Sequence, residues 1–258
     1  MTTNAADLGV ERRGDVLWLT IQREERRNAM SHGVLEAMDA AIAGAQSDRS
    51  LRAIVVTGAG SKAFCAGADL QAAQAFTTDY SEPLGHFARL LRRARASHVP
   101  LVARVNGACM AGGMGLLAMC DLAVAARHAV FGLPEVKVGV FPAQVLSVLQ
   151  HLVPRRKLAE LCITGESITS QEALEIGLVN YVDDDVDTRL DWLLRRIVDK
   201  SPAAIRRGLY TMKSIETMAF EESMSFTESQ IALFTLTDDA KEGQAAFQQK
   251  RRPEWKGR

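Results

Sequence analysis

Apolar residues in the first 180 positions fall into short continuous runs that alternate with segments of helical periodicity. The continuous runs are 16–21, 53–57, 101–105 and 122–126. The segments with apolar residues at helical spacing are 31–45, 85–97, 143–152, 155–163 and 170–176. Buried, continuously apolar strands that alternate with helices are typical of a sheet covered by helices. We therefore predict an α/β fold.

The C-terminal part of the chain has a different pattern, because the segments after about residue 185 are all helical. We therefore predict a core over 1–195 and a helical region over 196–258. Both lie in one chain without an internal repeat or a low-complexity linker. The C-terminal helices carry apolar faces that are candidates for subunit contacts.

A glycine-rich segment, ACMAGGMGLLAMCD at 108–121, follows the strand predicted at 101–105 and carries no charge before Asp121. Glycines at the start of a helix let backbone amides approach a ligand closely. The first amides of a helix have no partner within it, so they can stabilise an oxygen that gains negative charge. Tight packing of a helix on a sheet is the alternative interpretation of the same glycines.

A second turn of small residues, SKAFCAGADL at 61–70, follows the strand predicted at 53–57. Two such turns can each direct one amide at the same carbonyl oxygen. Neither turn matches a nucleotide-binding signature. Ala63 stands where the third glycine of a dinucleotide motif would be, and no Gly-Lys-Ser/Thr follows the glycines of 107–115.

Glu135 is the third candidate element, because it follows Pro134 and lies among the apolar residues of VFGLPEVKVG at 130–139. An apolar environment raises the pKa of a carboxyl group, which suits a general acid or base near neutral pH. A solvated glutamate at the end of a strand is the alternative interpretation.

Composition and cysteine spacing disfavour several classes of protein. The 258 residues include 31 basic and 31 acidic side chains, so a nucleic-acid partner is disfavoured. The four cysteines lack the spacing of a metal site or a disulfide framework, so we expect no metal and a reducing, cytoplasmic setting. No apolar run is long enough for a membrane span. A thiolate nucleophile at Cys65 or Cys109 is conceivable, but buried free cysteines usually serve packing.

Five motifs together resemble the enoyl-CoA hydratase/isomerase family, also called the crotonase superfamily. The similarity covers nearly the whole chain, and the motifs occur in the family's order and at matching separations. They are REERRNAM at 23–30, AFCAGADL at 63–70, NGACMAGGMGLLAMCD at 106–121, AVFGLPEVKVGVFP at 129–142 and KEGQAAFQQKRRPEW at 241–255. The resemblance implies a crotonase-like core of stacked ββα turns and C-terminal helices that assemble trimers, often paired into hexamers.

The same resemblance implies roles for individual residues. The backbone amides of Ala68 and Gly112 would form an oxyanion hole for a thioester carbonyl, and Glu135 would be a catalytic glutamate. The substrate would be an acyl-CoA thioester, with no permanently bound cofactor. Four residues would line the path of coenzyme A, namely Ala66, Asp69, Leu70 and Gln71. Arg26 or Arg27 would approach its phosphates, an expectation that rests on charge alone.

Gly115 departs from the family pattern, because the resemblance implies a second glutamate at this position in hydratases. With Glu135 as the one carboxylate, moving a double bond is less demanding than adding water. We therefore favour isomerisation over hydration, although a water held by backbone groups beside Gly115 would leave slow hydration open. The alternative hypothesis is a weakly active or inactive acyl-CoA-binding protein with a scaffolding role.

Overall fold

A computed structural model describes residues 7–69 and 81–258, and it has the predicted α/β architecture. Its larger sheet has the strand order β1-β2-β3-β5-β7-β10. These strands are β1 (Leu8–Arg13), β2 (Val16–Ile21), β3 (Ala53–Gly58), β5 (Leu101–Val105), β7 (Leu122–Ala126) and β10 (Tyr181–Asp183). β1 is antiparallel to β2, and the other neighbours are parallel.

A smaller sheet has the order β4-β6-β8-β9. Its strands are β4 (Ala63–Cys65), β6 (Ala108–Met110), β8 (Val130–Gly132) and β9 (Ser167–Thr169). β4, β6 and β8 run parallel, and β9 is antiparallel to β8. Three residues carry no periodicity, so these short strands depend on their neighbours rather than on a local sequence signal.

The helices occupy the segments where helical periodicity predicts them. The described helices are α1 (His32–Ser47), α2 (His86–Arg95), α3 (Gly112–Ala118), α4 (Ala143–Leu149), α5 (Arg155–Thr164), α6 (Ser170–Glu175), α7 (Val186–Val198), α8 (Pro202–Ile215), α9 (Phe220–Thr235) and α10 (Asp238–Gln248). The Ser31 side chain caps α1 by accepting a hydrogen bond from the Val34 amide, which satisfies one of the free amides at the helix start.

Both faces of the larger sheet are buried. On β3, Ile54 and Val56 belong to a cluster with α1, α2 and α3, while Ala53 and Val55 belong to a cluster with α7. Alternate residues of a strand point to opposite faces, so this division explains the continuously apolar run. Helix α7 crosses the boundary predicted between residues 195 and 196, and the two-part division stays a prediction.

Candidate active site

The three candidate segments follow the carboxyl ends of three adjacent parallel strands. Ala68 comes three residues after β4, Gly112 two residues after β6, and Glu135 three residues after β8. The carboxyl ends of adjacent parallel strands lie at the same edge of a sheet. The topology therefore brings these segments, which are far apart in sequence, to one edge of the smaller sheet.

The turn after β4 carries Ala68, the first of the two candidate backbone donors. Met30 bridges to this turn by donating to the Gly67 carbonyl at 2.8 Å and accepting from the Asp69 amide at 3.0 Å. Because these bonds use the residues on either side, Ala68 directs its own amide away from Met30. The hydrogen bonds found within 7–69 and 81–258 include none from this amide, and Ala68 is exposed.

The turn after β6 contains a strained residue. Ala111 has φ 51° and ψ −126°, a conformation that residues with a side chain seldom adopt. Its amide donates to the Gly132 carbonyl at 2.9 Å, which ties this turn to the end of β8. α3 begins at the next residue, and the Gly112 amide has no hydrogen-bond acceptor in the described part of the chain.

The two turns are in direct contact at Gly67, which has φ +96°. A methyl group placed on Gly67 would lie 2.8 Å from the Ala111 Cβ and 3.1 Å from the Gly112 nitrogen. A methyl group on Gly112 would lie 3.7 Å from the Ala68 nitrogen. Only glycine fits both the backbone angle and the space at position 67. The two free amides therefore belong to neighbouring segments of one surface.

Glu135 lies in a 3₁₀ turn, Pro134–Val138, and is half-buried. Burial raises the pKa of its carboxyl group above the ordinary value of 4.5, and a hydrogen bond from its own backbone amide opposes this effect. The buried Oε2 atom has no hydrogen-bond partner among the described residues. A desolvated carboxylate whose oxygen is unengaged has the properties of a general base.

Asp69 has a structural partner that the sequence does not reveal. Its carboxylate accepts a hydrogen bond of 2.7 Å from Arg23 Nη2, and both side chains are largely buried. Arg23 also contacts Asp7 through Nε at 3.0 Å and donates to the Ala29 carbonyl at 2.6 Å. This network anchors the segment next to Ala68. Asp69 therefore stabilises the turn, and this role is independent of any contact that it makes with a ligand.

The other residues expected along a coenzyme A path are only partly described. The Ala66 amide donates to the Arg27 carbonyl at 3.1 Å, so the turn after β4 lies beside the arginine-rich segment. Arg26 and Arg27 are exposed at the end of a 3₁₀ turn, Glu24–Arg26. Leu70 and Gln71 lie outside the described residues. The coenzyme A contacts of all these residues stay a prediction.

The cysteines near the site are unsuited to nucleophilic chemistry. Cys65 and Cys109 are fully buried, and burial raises the pKa of the Cys65 thiol to about 12. Burial also raises the pKa of Cys109 well above its usual value. A thiol needs a lowered pKa to act as a nucleophile at neutral pH, so the structure argues against the thiolate alternative.

His128 has a structural role. Its Nε2 atom contacts the backbone carbonyls of Ser61 and Asn106 at 3.0 and 3.1 Å.

The space beside Gly115 is occupied by side chains that sequence reasoning missed. A methyl group on Gly115 would lie 2.7 Å from the Phe87 Cζ and 2.9 Å from the Val145 Cγ1. These residues belong to α2 and α4, and no local pattern shows that they meet at α3. Their apolar character within amphipathic helices is the only signal that the sequence offers.

The described residues lack both a membrane-spanning helix and a cluster of metal ligands. They contain no helix with the length and apolar character needed to cross a membrane. Over the same ranges, no three or more histidine, cysteine, aspartate and glutamate side chains are grouped so that they could hold a metal ion. Within these ranges, the candidate catalytic groups are the two backbone amides and the Glu135 carboxylate.

Comparison with known proteins identifies the family. The sequence profile of the family described as "Enoyl-CoA hydratase/isomerase" matches residues 11–258. The chain belongs to this enzyme family. The resemblance carried by the five motifs is thereby confirmed, and the substrates of the family are acyl-CoA thioesters.

Individual relatives differ in the substrates that they are named for. A 2,3-dehydroadipyl-CoA hydratase of Escherichia coli is 33% identical, with 98% of this chain and 100% of the relative covered. A carnitinyl-CoA dehydratase of Salmonella arizonae is 34% identical, with 97% and 98% covered. Family membership therefore leaves the acyl group open.

Solved structures of the family share the fold of this enzyme. An enoyl-CoA hydratase from Mycobacterium smegmatis superposes with a TM-score of 0.91 at 33% identity, covering 96% of this chain and 98% of the other. An enoyl-CoA hydratase from Bacillus anthracis gives a TM-score of 0.90 at 27% identity, covering 98% and 100%. The predicted crotonase-like fold with C-terminal helices is confirmed.

Proposed function

We propose that this enzyme moves the double bond of an enoyl-CoA thioester through an enolate that Ala68 and Gly112 stabilise. The two backbone amides donate to the thioester oxygen as it gains negative charge. Preorganised donors of this kind each contribute about 3 kcal/mol to transition-state stabilisation. The observation that carries the proposal is the contact between the two turns at Gly67, next to two amides that have no acceptor among residues 7–69 and 81–258.

Glu135 transfers the proton. Its carboxylate removes a proton from C2 of a 3-enoyl thioester, and the electron pair of the broken C–H bond moves into a dienolate whose charge lies on the thioester oxygen. Glu135 then returns the proton at C4, and the double bond lies between C2 and C3. The reaction consumes no water and needs one carboxylate. The raised pKa and the unengaged Oε2 of Glu135 support this assignment.

Isomerisation is favoured over hydration because the described residues bring a single candidate catalytic carboxylate, that of Glu135, to the site. Hydration adds a hydroxyl group at C3 and a proton at C2, and a second positioned acid or base usually accelerates such a step about 10²–10⁴-fold. Position 115 is glycine and supplies no such group. Coenzyme A would extend past Ala66 and Asp69 toward Arg26 and Arg27, whose exposed guanidinium groups suit phosphates.

The C-terminal helices support a second part of the proposal, assembly as a homotrimer or a dimer of trimers. Phe220, Leu236 and Phe247 expose 72%, 68% and 86% of their surface. Large exposed apolar side chains are typical of surfaces that contact another subunit. Analytical ultracentrifugation should give three or six times the chain mass, and a monomer would contradict this part.

Turnover with defined isomers tests the proposed reaction. We expect the enzyme to convert 3-hexenoyl-CoA to 2-hexenoyl-CoA, with a rise in ultraviolet absorbance as the double bond becomes conjugated to the thioester. With 2-hexenoyl-CoA, we expect little conversion to a 3-hydroxyacyl-CoA. Rapid hydration without isomerisation would overturn the assignment. Tight acyl-CoA binding without any turnover would favour the scaffolding alternative, which the missing second carboxylate supports.

A further inference from the structure

Side chains from two other helices pack against the face of α3 at Gly115. Gly115 is buried and lies three residues after Gly112, on the same side of the helix. The Phe87 Cζ and Val145 Cγ1 atoms lie so close that a methyl group on Gly115 would be 2.7 and 2.9 Å from them. Real Cβ atoms do not tolerate such distances, so the bare backbone is in van der Waals contact with both.

The two side chains differ in how firmly they are held. Val145 is 3% exposed and belongs to the main hydrophobic core, together with Leu116 and Leu149. Phe87 is the second residue of α2, packs against the same core and is only half-buried. Phe87 is therefore less enclosed by the core than Val145, and its ring contacts the helix whose first amide belongs to Gly112.

We propose that Phe87 is a specificity-determining residue that excludes water from the Gly115 side of the site. The proposal rests on the proposed function, because it explains which of two reactions follows enolate formation. Phe87 and Val145 offer no hydrogen bond to water, and an apolar space too small for a water molecule stays dry. Phe87 thus removes the route to slow hydration that a glycine alone would leave open.

The consequence for the chemistry is a choice between two balanced reactions. In isomerisation, one proton leaves C2 and one proton enters C4, so the composition of the substrate is unchanged. In hydration, one water molecule is consumed, its hydroxyl group bonds to C3 and a proton bonds to C2. Because the Phe87 and Val145 side chains leave no space for water beside α3, they suppress hydration and leave proton transfer by Glu135 intact.

Truncation of the aromatic ring tests the proposal. The products formed from 3-hexenoyl-CoA and 2-hexenoyl-CoA are measured by chromatography for the wild type, Phe87→Ala and the conservative variant Phe87→Leu. We expect the ratio of hydration to isomerisation to rise about tenfold or more in Phe87→Ala and to stay near the wild-type ratio in Phe87→Leu. An unchanged ratio in Phe87→Ala contradicts the proposal. A folded Phe87→Ala enzyme without turnover also contradicts it, because a specificity residue leaves the catalytic carboxylate working.

A carboxylate placed in the vacated space gives a stronger test. We expect the double variant Phe87→Ala/Gly115→Glu to hydrate 2-hexenoyl-CoA about 10²-fold faster than the wild type. Gly115→Glu alone should fail to gain hydration, because Phe87 occupies the space. Gly44→Glu is the matched control, since Gly44 is exposed within α1 and has no atom near the position of a Cβ. Equal gains in hydration rate in the single and double variants would show that Phe87 does not block the space beside Gly115, which contradicts the proposal.

A stability cycle provides a readout that does not depend on activity. Gly115→Ala should lower the melting temperature of the wild type, because its methyl group meets the Phe87 ring. The same substitution in the Phe87→Ala background should cost less, with the remaining loss due to the contact with Val145. Equal losses in both backgrounds would overturn the contact on which the proposal rests. A wild type that does not isomerise 3-hexenoyl-CoA would defeat the proposed function, whereas an isomerase with unchanged product ratios would defeat the role of Phe87 alone.

Discussion

The Ala111 amide donates a hydrogen bond of 2.9 Å to the Gly132 carbonyl. This bond joins the turn that carries Gly112 to the strand end that leads to Glu135. Ala111 immediately precedes Gly112, and Gly132 lies three residues before Glu135. The bond therefore fixes a free amide and a desolvated carboxylate relative to each other. It also holds Ala111 in its strained conformation, as packed surroundings do at many functional sites.

Gly67 should be sensitive to the addition of a single methyl group. In Gly67→Ala, the methyl group would collide with Ala111 and strain a positive φ. We expect losses of about 1 kcal/mol from the backbone and about 1–3 kcal/mol from overpacking. Because the collision displaces the two amides, kcat/KM should fall about 10²-fold. Denaturant unfolding and steady-state kinetics measure the two effects.

Gly14 provides the matched control for this prediction. Its φ of +59° is also positive, but no atom lies within 4 Å of a Cβ placed there. Gly14→Ala should therefore lose only the backbone contribution of about 1 kcal/mol and retain full kcat/KM. Equal losses of activity in the two variants would show that the contact between the turns has no catalytic importance.

The raised pKa of Glu135 predicts the pH dependence of activity and stability. The carboxylate form is the base, so kcat/KM should fall at low pH with an apparent pKa above 4.5, the ordinary glutamate value. The folded state binds this proton more tightly than the unfolded state. The contribution of Glu135 to stability is therefore fully present below pH 4.5. It is lost as the pH rises through the pKa that Glu135 has in the folded state.

The measurement compares the wild type with Glu135→Gln at each pH, because other carboxyl groups change stability in the opposite direction. Arg251, for example, lowers the pKa of Glu242 to about 2. The difference in unfolding free energy between the two proteins should move in favour of Glu135→Gln as pH rises above 4.5. A difference independent of pH, or a kinetic pKa at or below that value, would contradict the assignment.

The ion pair between Arg23 and Asp69 should stabilise the turn that carries Ala68. Both side chains are largely buried, with 13% and 11% exposed. Arg23→Met removes the buried charge and keeps an apolar side chain, and we expect a loss of about 3 kcal/mol together with lower kcat/KM. The exposed pair Arg127 and Asp184 supplies the control, and Arg127→Met should cost far less than Arg23→Met, because solvent screens an exposed ion pair. Similar losses in both variants would argue against the anchoring role.

The sequence predicted the long elements well because their periodicity is strong. The apolar run 16–21 and the Ser31 cap before α1 are local signals, and the structure confirms both. β4, β6 and β8 have three residues each, too few for a pattern, and tertiary pairing forms them. Their parallel order is nevertheless what brings the candidate turns together.

The candidate site divides in the same way. Glycine-rich turns and a glutamate in an apolar stretch are visible in the sequence, because backbone access and desolvation depend on nearby residues. The contact of Phe87 with Gly115 and the pairing of Arg23 with Asp69 join distant segments. Such contacts depend on how helices and turns pack, so they required the structure.

Hydrogen exchange at C2 tests the central claim most directly. The enzyme is incubated with 3-hexenoyl-CoA in heavy water, and loss of the C2 hydrogens is followed by NMR. We expect rapid exchange with the wild type and a rate about 10²–10⁴-fold lower with Glu135→Gln, while Glu166→Gln, an exposed carboxylate paired with Lys137, exchanges like the wild type. Exchange by Glu135→Gln at the wild-type rate, or none by the wild type, would contradict an enolate formed by Glu135.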